Sequence, residues 1–143
     1  MAHPGMVHAL REARRVLKPG GILVDLRPAN VHRRVALARS GRYQVVGAMR
    51  EKFADDHAAN RAVAGAVRAR WFKLERRPRF AIDRTMDSLD EFRTWLAEFL
   101  AMGDKLPPHD WLVERLEQAL ARKRAKAKIV VRGPLDMHVL RKK

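Results

Sequence analysis

The chain has 143 residues, 47% of them hydrophobic, which is enough for one compact domain or a partial one with a modest core. It carries 31 Lys and Arg against 16 Asp and Glu, a net charge of +15, yet Asp83 to Glu117 alone holds nine acids and four bases, so the positive charge lies outside that stretch. The absence of cysteine excludes disulfides and thiol chemistry, no apolar run approaches the ~20 residues of a membrane span, and no basic-apolar leader opens the sequence, so the reading is a soluble cytoplasmic chain without membrane contact.

Met6, Leu10, Ala13 and Leu17 recur at helical spacing, and Lys18 complements the negative end of that helix. Pro19-Gly20-Gly21 is a stop signal, because glycine can take the left-handed conformation that ends a helix. Ile22 to Leu26 then reads as a short buried strand. Leu10 to Asp25, with the leading His3-Pro4-Gly5-Met6, resembles a segment of class I S-adenosylmethionine-dependent methyltransferases, of the type 11-like kind. There a helix reading Leu-x-Glu-x-x-Arg-x-Leu-Lys-Pro-Gly-Gly follows the fourth strand and leads into the fifth.

The resemblance covers the first ~28 residues and implies a C-terminal, substrate-side part of that fold. In that family the cofactor lies in a glycine-rich loop after the first strand, where only glycine lets the backbone approach so closely. The eight glycines here include no Gly-x-Gly, and Met1 falls where four strands should already have been made. The implied chain therefore lacks the cofactor half. It holds no cofactor alone, and S-adenosylmethionine only if a partner or an upstream segment supplies the glycine loop.

Beyond Pro28, Val31 to Ala38 and Tyr43 to Met49 flank Arg39-Ser40-Gly41-Arg42, whose Ser-Gly pair predicts a hairpin. Ala58, Ala59, Ala62, Val63, Ala66 and Val67 mark a helix from Asp55 to about Arg70 with a narrow apolar face. Trp71 to Leu74 and Phe80 to Ile82 alternate like a strand interrupted by Pro78, which points to an edge or a bulge. Ser88-Leu89-Asp90-Glu91 is a capping box that opens a helix ended by Gly103, with Leu89, Phe92, Leu96, Phe99 and Leu100 on one face. A second helix after Pro107-Pro108 places Trp111, Leu112, Leu116, Ala119 and Leu120 inward, and these aromatic positions read as core. Ala127 to Arg132 and Met137 to Leu140, on either side of Gly133-Pro134, predict a final strand pair.

The expected class is thus α/β: a partial Rossmann-like methyltransferase fold with a helix, a buried strand, an inserted hairpin and helix region, two amphipathic helices and a C-terminal strand pair. It forms a single domain, residues 1–143. Residues 1–28 and about 126–143 supply the sheet portion, about 29–86 an inserted α+β region, and about 87–125 the helical pair.

No catalytic constellation is present: the six histidines offer no i, i+4 zinc pair on a predicted helix, and neither serine lies in a Gly-x-Ser-x-Gly elbow. Asp25, Arg27 and His32 lie at or just beyond the C-terminal end of the first strand, the end where open α/β sheets place ligands. They are the substrate-facing candidates. Asp25 as a turn acceptor and Arg27 as a solvated charge are the plain alternatives. Arg122, Lys123, Arg124, Lys126 and Lys128 form the most basic run and are the candidates for polyanion contact, although cations also simply suit a helix C-terminus.

In the family the fifth strand lies between the fourth and the last, so Ile22 to Leu26 is expected to present an unpaired apolar edge. A second copy, a separate N-terminal methyltransferase half, or the Val31 to Met49 hairpin are the covers to consider. Three functions follow: a methyltransferase-like fragment or subunit inactive alone, a basic nucleic-acid-binding module, or a regulatory or structural subunit that completes a partner methyltransferase.

Overall fold

The helix-stop-strand segment folds as its residues demand. In the computed structural model, which describes residues 4–102, 106–122 and 126–143, α1 spans Pro4–Val16 and β1 spans Ile22–Pro28. Between them Gly20 takes φ +79°, and the Gly21 N–H donates to the Lys18 carbonyl at 2.8 Å. A Cβ on Gly21 would lie 2.8 Å from that same oxygen, so the turn closes only without a side chain.

The rest of the chain, in order, is β2 (Arg34–Arg39), β3 (Arg42–Ala48), α2 (Ala54–Arg68), β4 (Phe72–Arg76), β5 (Arg79–Met86), α3 (Leu89–Ala101), α4 (Asp110–Ala121) and β6 (Lys128–Lys142). The class is mixed α/β. The described chain divides into two compact units. The first comprises residues 1–30, 53–80 and 134–143, and the second 31–52 and 81–133.

In the first unit the second half of β6 pairs antiparallel with β1, from Ile22↔Arg141 to Pro28↔Leu135, and with β4, from Phe72↔Lys142 to Arg76↔Val139. The β4 ladder shifts register between Leu74 and Arg76, with Glu75 as the extra residue, and Pro78 falls in the break between β4 and β5. Val63 and Ala66 of α2, Phe72 and Leu140 form the buried core, and Leu10, Leu17 and Leu23 pack against it. Arg11 and Arg14 each stand 5.7 Å over the Trp71 ring, fixing α1 through cation–π contacts.

In the second unit β2 and β3 form the predicted hairpin, with Ser40 (φ 46°) and Gly41 (φ 76°) giving the two left-handed positions of its turn. β2 also pairs antiparallel with the first half of β6, from Arg34↔Arg132 to Ala38↔Lys128. Val35, Ala36 and Leu37 are all buried although β2 runs in regular register with β6: Val35 and Leu37 join the core of this unit, Ala36 lies on the other face, and the register shift against β3 makes Val46 of β3 the extra residue.

Helices α3 and α4 supply Phe92, Leu96, Leu112 and Leu116 to a core that also takes Val35, Leu37, Met49, Met86, Ile129 and Val131. Ser88 caps α3, its Oγ accepting from the Glu91 N–H at 3.1 Å, while Glu91 reaches back to the Asp87 N–H at 3.0 Å. α3 ends at Ala101, and the expected stop at Gly103 lies outside the described residues. The His109 ring, fully buried, accepts the Arg50 N–H at Nε2 (2.9 Å) and meets the Pro107 carbonyl at Nδ1 (2.8 Å). It is a structural histidine that ties the entry of α4 to the chain after β3.

Two sequence expectations change. The C-terminal strand pair is one 15-residue strand, β6. Gly133-Pro134 falls between the β2 ladder, which ends at Arg132, and the β1 ladder, which begins at Leu135, so proline's missing N–H costs no ladder bond. The strand Ile22 to Leu26 is not buried: Ile22, Val24 and Leu26 are 41%, 52% and 50% exposed. Only Leu23, on the other face, joins the core. Within the stretch 29–86, residues 31–52 belong to one unit and 53–80 to the other.

Candidate functional site

The alternation that sends Ile22, Val24 and Leu26 outward sends Leu23, Asp25 and Arg27 to the face that carries α2. The β1–β6 register then sets Asp25 opposite His138 and Arg27 opposite Asp136. The result is a cluster of four ionisable groups beneath α2, inside the first unit.

Arg27 organises it. Its Nε lies 3.0 Å from both oxygens of Asp25, one of its terminal nitrogens donates to Asn60 Oδ1 at 2.9 Å, and the other approaches the Asp56 carbonyl at 3.4 Å. Both side chains of the Asp25–Arg27 pair are only 20% exposed. A pair this well shielded is retained only if its donors and acceptors are filled, and here the fork of the guanidinium fills them from β1 and α2 at once. Arg27 is therefore not the solvated charge of the plain alternative, and Asp25 serves as its acceptor.

His138 is 4% exposed, and its Nδ1 lies 3.2 Å from Asp25 Oδ2. Burial pushes its imidazole below the ordinary histidine range; the Asp25 carboxylate opposes that shift, while Arg77 and Arg27 add to it. Asp136, also buried, accepts two hydrogen bonds from Arg79 at 2.6 and 2.9 Å. The Arg79 guanidinium holds the Asp136 carboxyl below the usual carboxylate range against the desolvation that would raise it.

Beside this cluster opens a cleft of about 570 Å³ between α2 and the β4–β6 ladder. His57, Asn60, Arg61, Arg68, Arg77 and His138 provide its polar lining. Val63, Val67 and Leu74 provide the apolar part. The described residues contain no group of three or more His, Cys, Asp or Glu able to hold a metal ion.

Of the three substrate-facing candidates, Asp25 and Arg27 come together here. His32 lies in the second unit, where its Nδ1 accepts from the Glu51 N–H at 3.1 Å. Of the basic run, Arg122 caps the end of α4, Lys126 is exposed, and Lys128 stands 3.7 Å from Asp87; Lys123 and Arg124 lie outside the described residues. The sequence reading missed His138, Asp136 and Asn60. A signal existed for the first two: Asp136, His138 and Leu140 alternate with Leu135, Met137 and Val139, a period of two that puts both polar residues on the face of Leu140. No family model, no curated protein and no solved structure matches this chain.

Proposed function

We propose that the chain is the substrate-side, C-terminal portion of a class I S-adenosylmethionine-dependent methyltransferase-like fold, inactive in methyl transfer by itself. The observation that carries this reading is the placement of β1. It follows a Lys-Pro-Gly-Gly turn and pairs on one side with the last strand, β6, while its other edge has no partner among the described residues. That is the neighbour the resemblance implies for a fifth strand, with the position of a fourth left open. The Rossmann-like assignment rests on the same pairing.

The hairpin does not cover that edge, because β2 pairs with β6. A second copy of this chain or an N-terminal methyltransferase half remains as the cover, and backbone N–H and C=O groups along an edge strand supply the means of pairing. On this reading Asp25 and Arg27 hold the end of β1 to α2 and shape the substrate-facing surface. Methyl transfer needs the sulfonium held in line with its acceptor, and the sequence offers no Gly-x-Gly cradle to do so. Cofactor binding then belongs to whatever segment pairs with β1.

Calorimetric titration of the chain with S-adenosylmethionine tests the proposal. No saturable heat is expected, and a micromolar dissociation constant would overturn it. The net charge of +15 supports a second reading as a polyanion-binding module. Its mark is affinity for DNA or RNA that falls steeply and log-linearly with salt. No helix among the described residues is long and apolar enough to cross a membrane.

A further inference from the structure

We infer that the cleft between α2 and the β4–β6 ladder is a binding site for a small phosphate monoester with an apolar body, an assignment independent of the methyltransferase reading. Three guanidinium-bearing side chains, Arg61, Arg68 and Arg77, and the His57 imidazole converge on one cavity whose lining contains no carboxylate. Neither Arg68 nor Arg77 forms an ion pair within 4 Å among the described residues, although Arg77 feels the Asp136 carboxylate; Arg27, Arg33, Arg79, Arg132 and Arg141 are each paired directly. Several cations converging on one small volume exceed what a monoanionic carboxylate needs and match a dianionic head, which guanidinium groups grip through paired N–H donors.

The floor of the cleft is the buried His138 side chain, 4% exposed, whose Nδ1 stands 3.2 Å from Asp25 Oδ2 and is therefore already taken up by that carboxylate. Val63, Val67 and Leu74 make the remaining wall apolar, and about 570 Å³ lies within the range of small-molecule sites. A free inorganic anion would leave that wall unused, whereas an aryl or short alkyl ester fills it.

The probe is phenyl phosphate, titrated into the whole chain and followed by backbone-amide NMR. Saturable shifts are expected within residues 57–68, 74–77 and 138, with a dissociation constant below about 1 mM and inorganic phosphate at least about tenfold weaker. The double variant Arg68→Ala/Arg77→Ala, at two exposed positions, should lose about tenfold or more in affinity while its amide spectrum stays dispersed. Arg39→Ala, in the other unit, should bind as the parent does. Shifts that fail to saturate, that spread over the second unit, that are matched by inorganic phosphate, or that survive the double substitution would each overturn the assignment.

Discussion

The two units solve the problem of an interior in opposite ways. The second buries a large apolar cluster, Phe92, Leu96, Leu112, Leu116, Met49 and Ile129 among them, and its one buried histidine has both ring nitrogens occupied. The first has a small apolar cluster, Val63, Ala66, Phe72 and Leu140, with otherwise only alanines buried, and beside them a set of ionisable groups from β1 and β6. Apolar packing in the second unit is non-directional and strong, whereas the polar interior of the first gains little net stability and depends on every partner being in place. A region that keeps such a costly interior next to a cleft is the place to look for function, and the apolar unit is the place to look for stability.

The largest expected effect follows from that contrast. Phe92 is fully buried between α3 and the sheet of its unit, so Phe92→Ala should cost about 3–5 kcal/mol in urea denaturation through lost burial and an unfilled cavity. A cost under about 1 kcal/mol would mean that this core collapses freely and that the contrast between the units is false. Next in size is Arg27→Ala, which removes the fork shared by Asp25 and Asn60 and leaves a shielded carboxylate unpaired; about 1–3 kcal/mol is expected. A double-mutant cycle of Arg27→Ala with Asn60→Ala should show positive coupling, and strict additivity would show that the contact between β1 and α2 carries no energy.

The apolar unit was also the more legible one. Helical spacing in α3 and α4 names its buried residues directly, because Phe92 and Leu96, or Leu112 and Leu116, lie four apart on one face whatever they pack against. The Ser88 cap and the Ser40-Gly41 turn are local chemistry and were equally readable. The cluster in the first unit is not local. Asp25 meets His138 through a register that joins residues 113 positions apart, and Asn60 reaches Arg27 from a helix between them. Sequence periodicity tells which face a residue takes, not which strand stands opposite. The same limit explains the strand Ile22 to Leu26: a continuous apolar run reads as buried, yet only one neighbour, β6, is paired with it and its outer face stays open.

Acid should separate the units further. Because burial holds His138 below its ordinary value, the unfolded chain takes up that proton first, so the stability from a neutral His138 is complete above about pH 6.5 and is lost as pH falls toward the folded-state value. Asp136, held low by Arg79, behaves the same way further down: its contribution is present above about pH 4 and disappears below it. The melting temperature should therefore fall from pH 7 to pH 5. His138→Gln should flatten that slope while leaving the acid limb due to Asp136. An unchanged slope in the variant would assign the effect to another group.

The smallest effect on stability carries the most information about assembly. Val24 is half exposed in the middle of β1, its side chain on the face away from α2 and its strand unpaired along one edge. Val24→Lys removes no core contact, so the change in folding free energy should stay within about 0.5 kcal/mol. A lysine on an edge strand opposes strand-to-strand association, because pairing would bring its charge against an apolar neighbour such as Ile22 or Leu26 of a second copy. Sedimentation velocity on the parent chain should show concentration-dependent self-association that the variant lacks. If parent and variant sediment alike as monomers, the edge is not used between copies, and an N-terminal methyltransferase half becomes the one cover left for β1. If both self-associate equally, the contact lies elsewhere on the molecule, and the open edge of β1 loses its role in assembly.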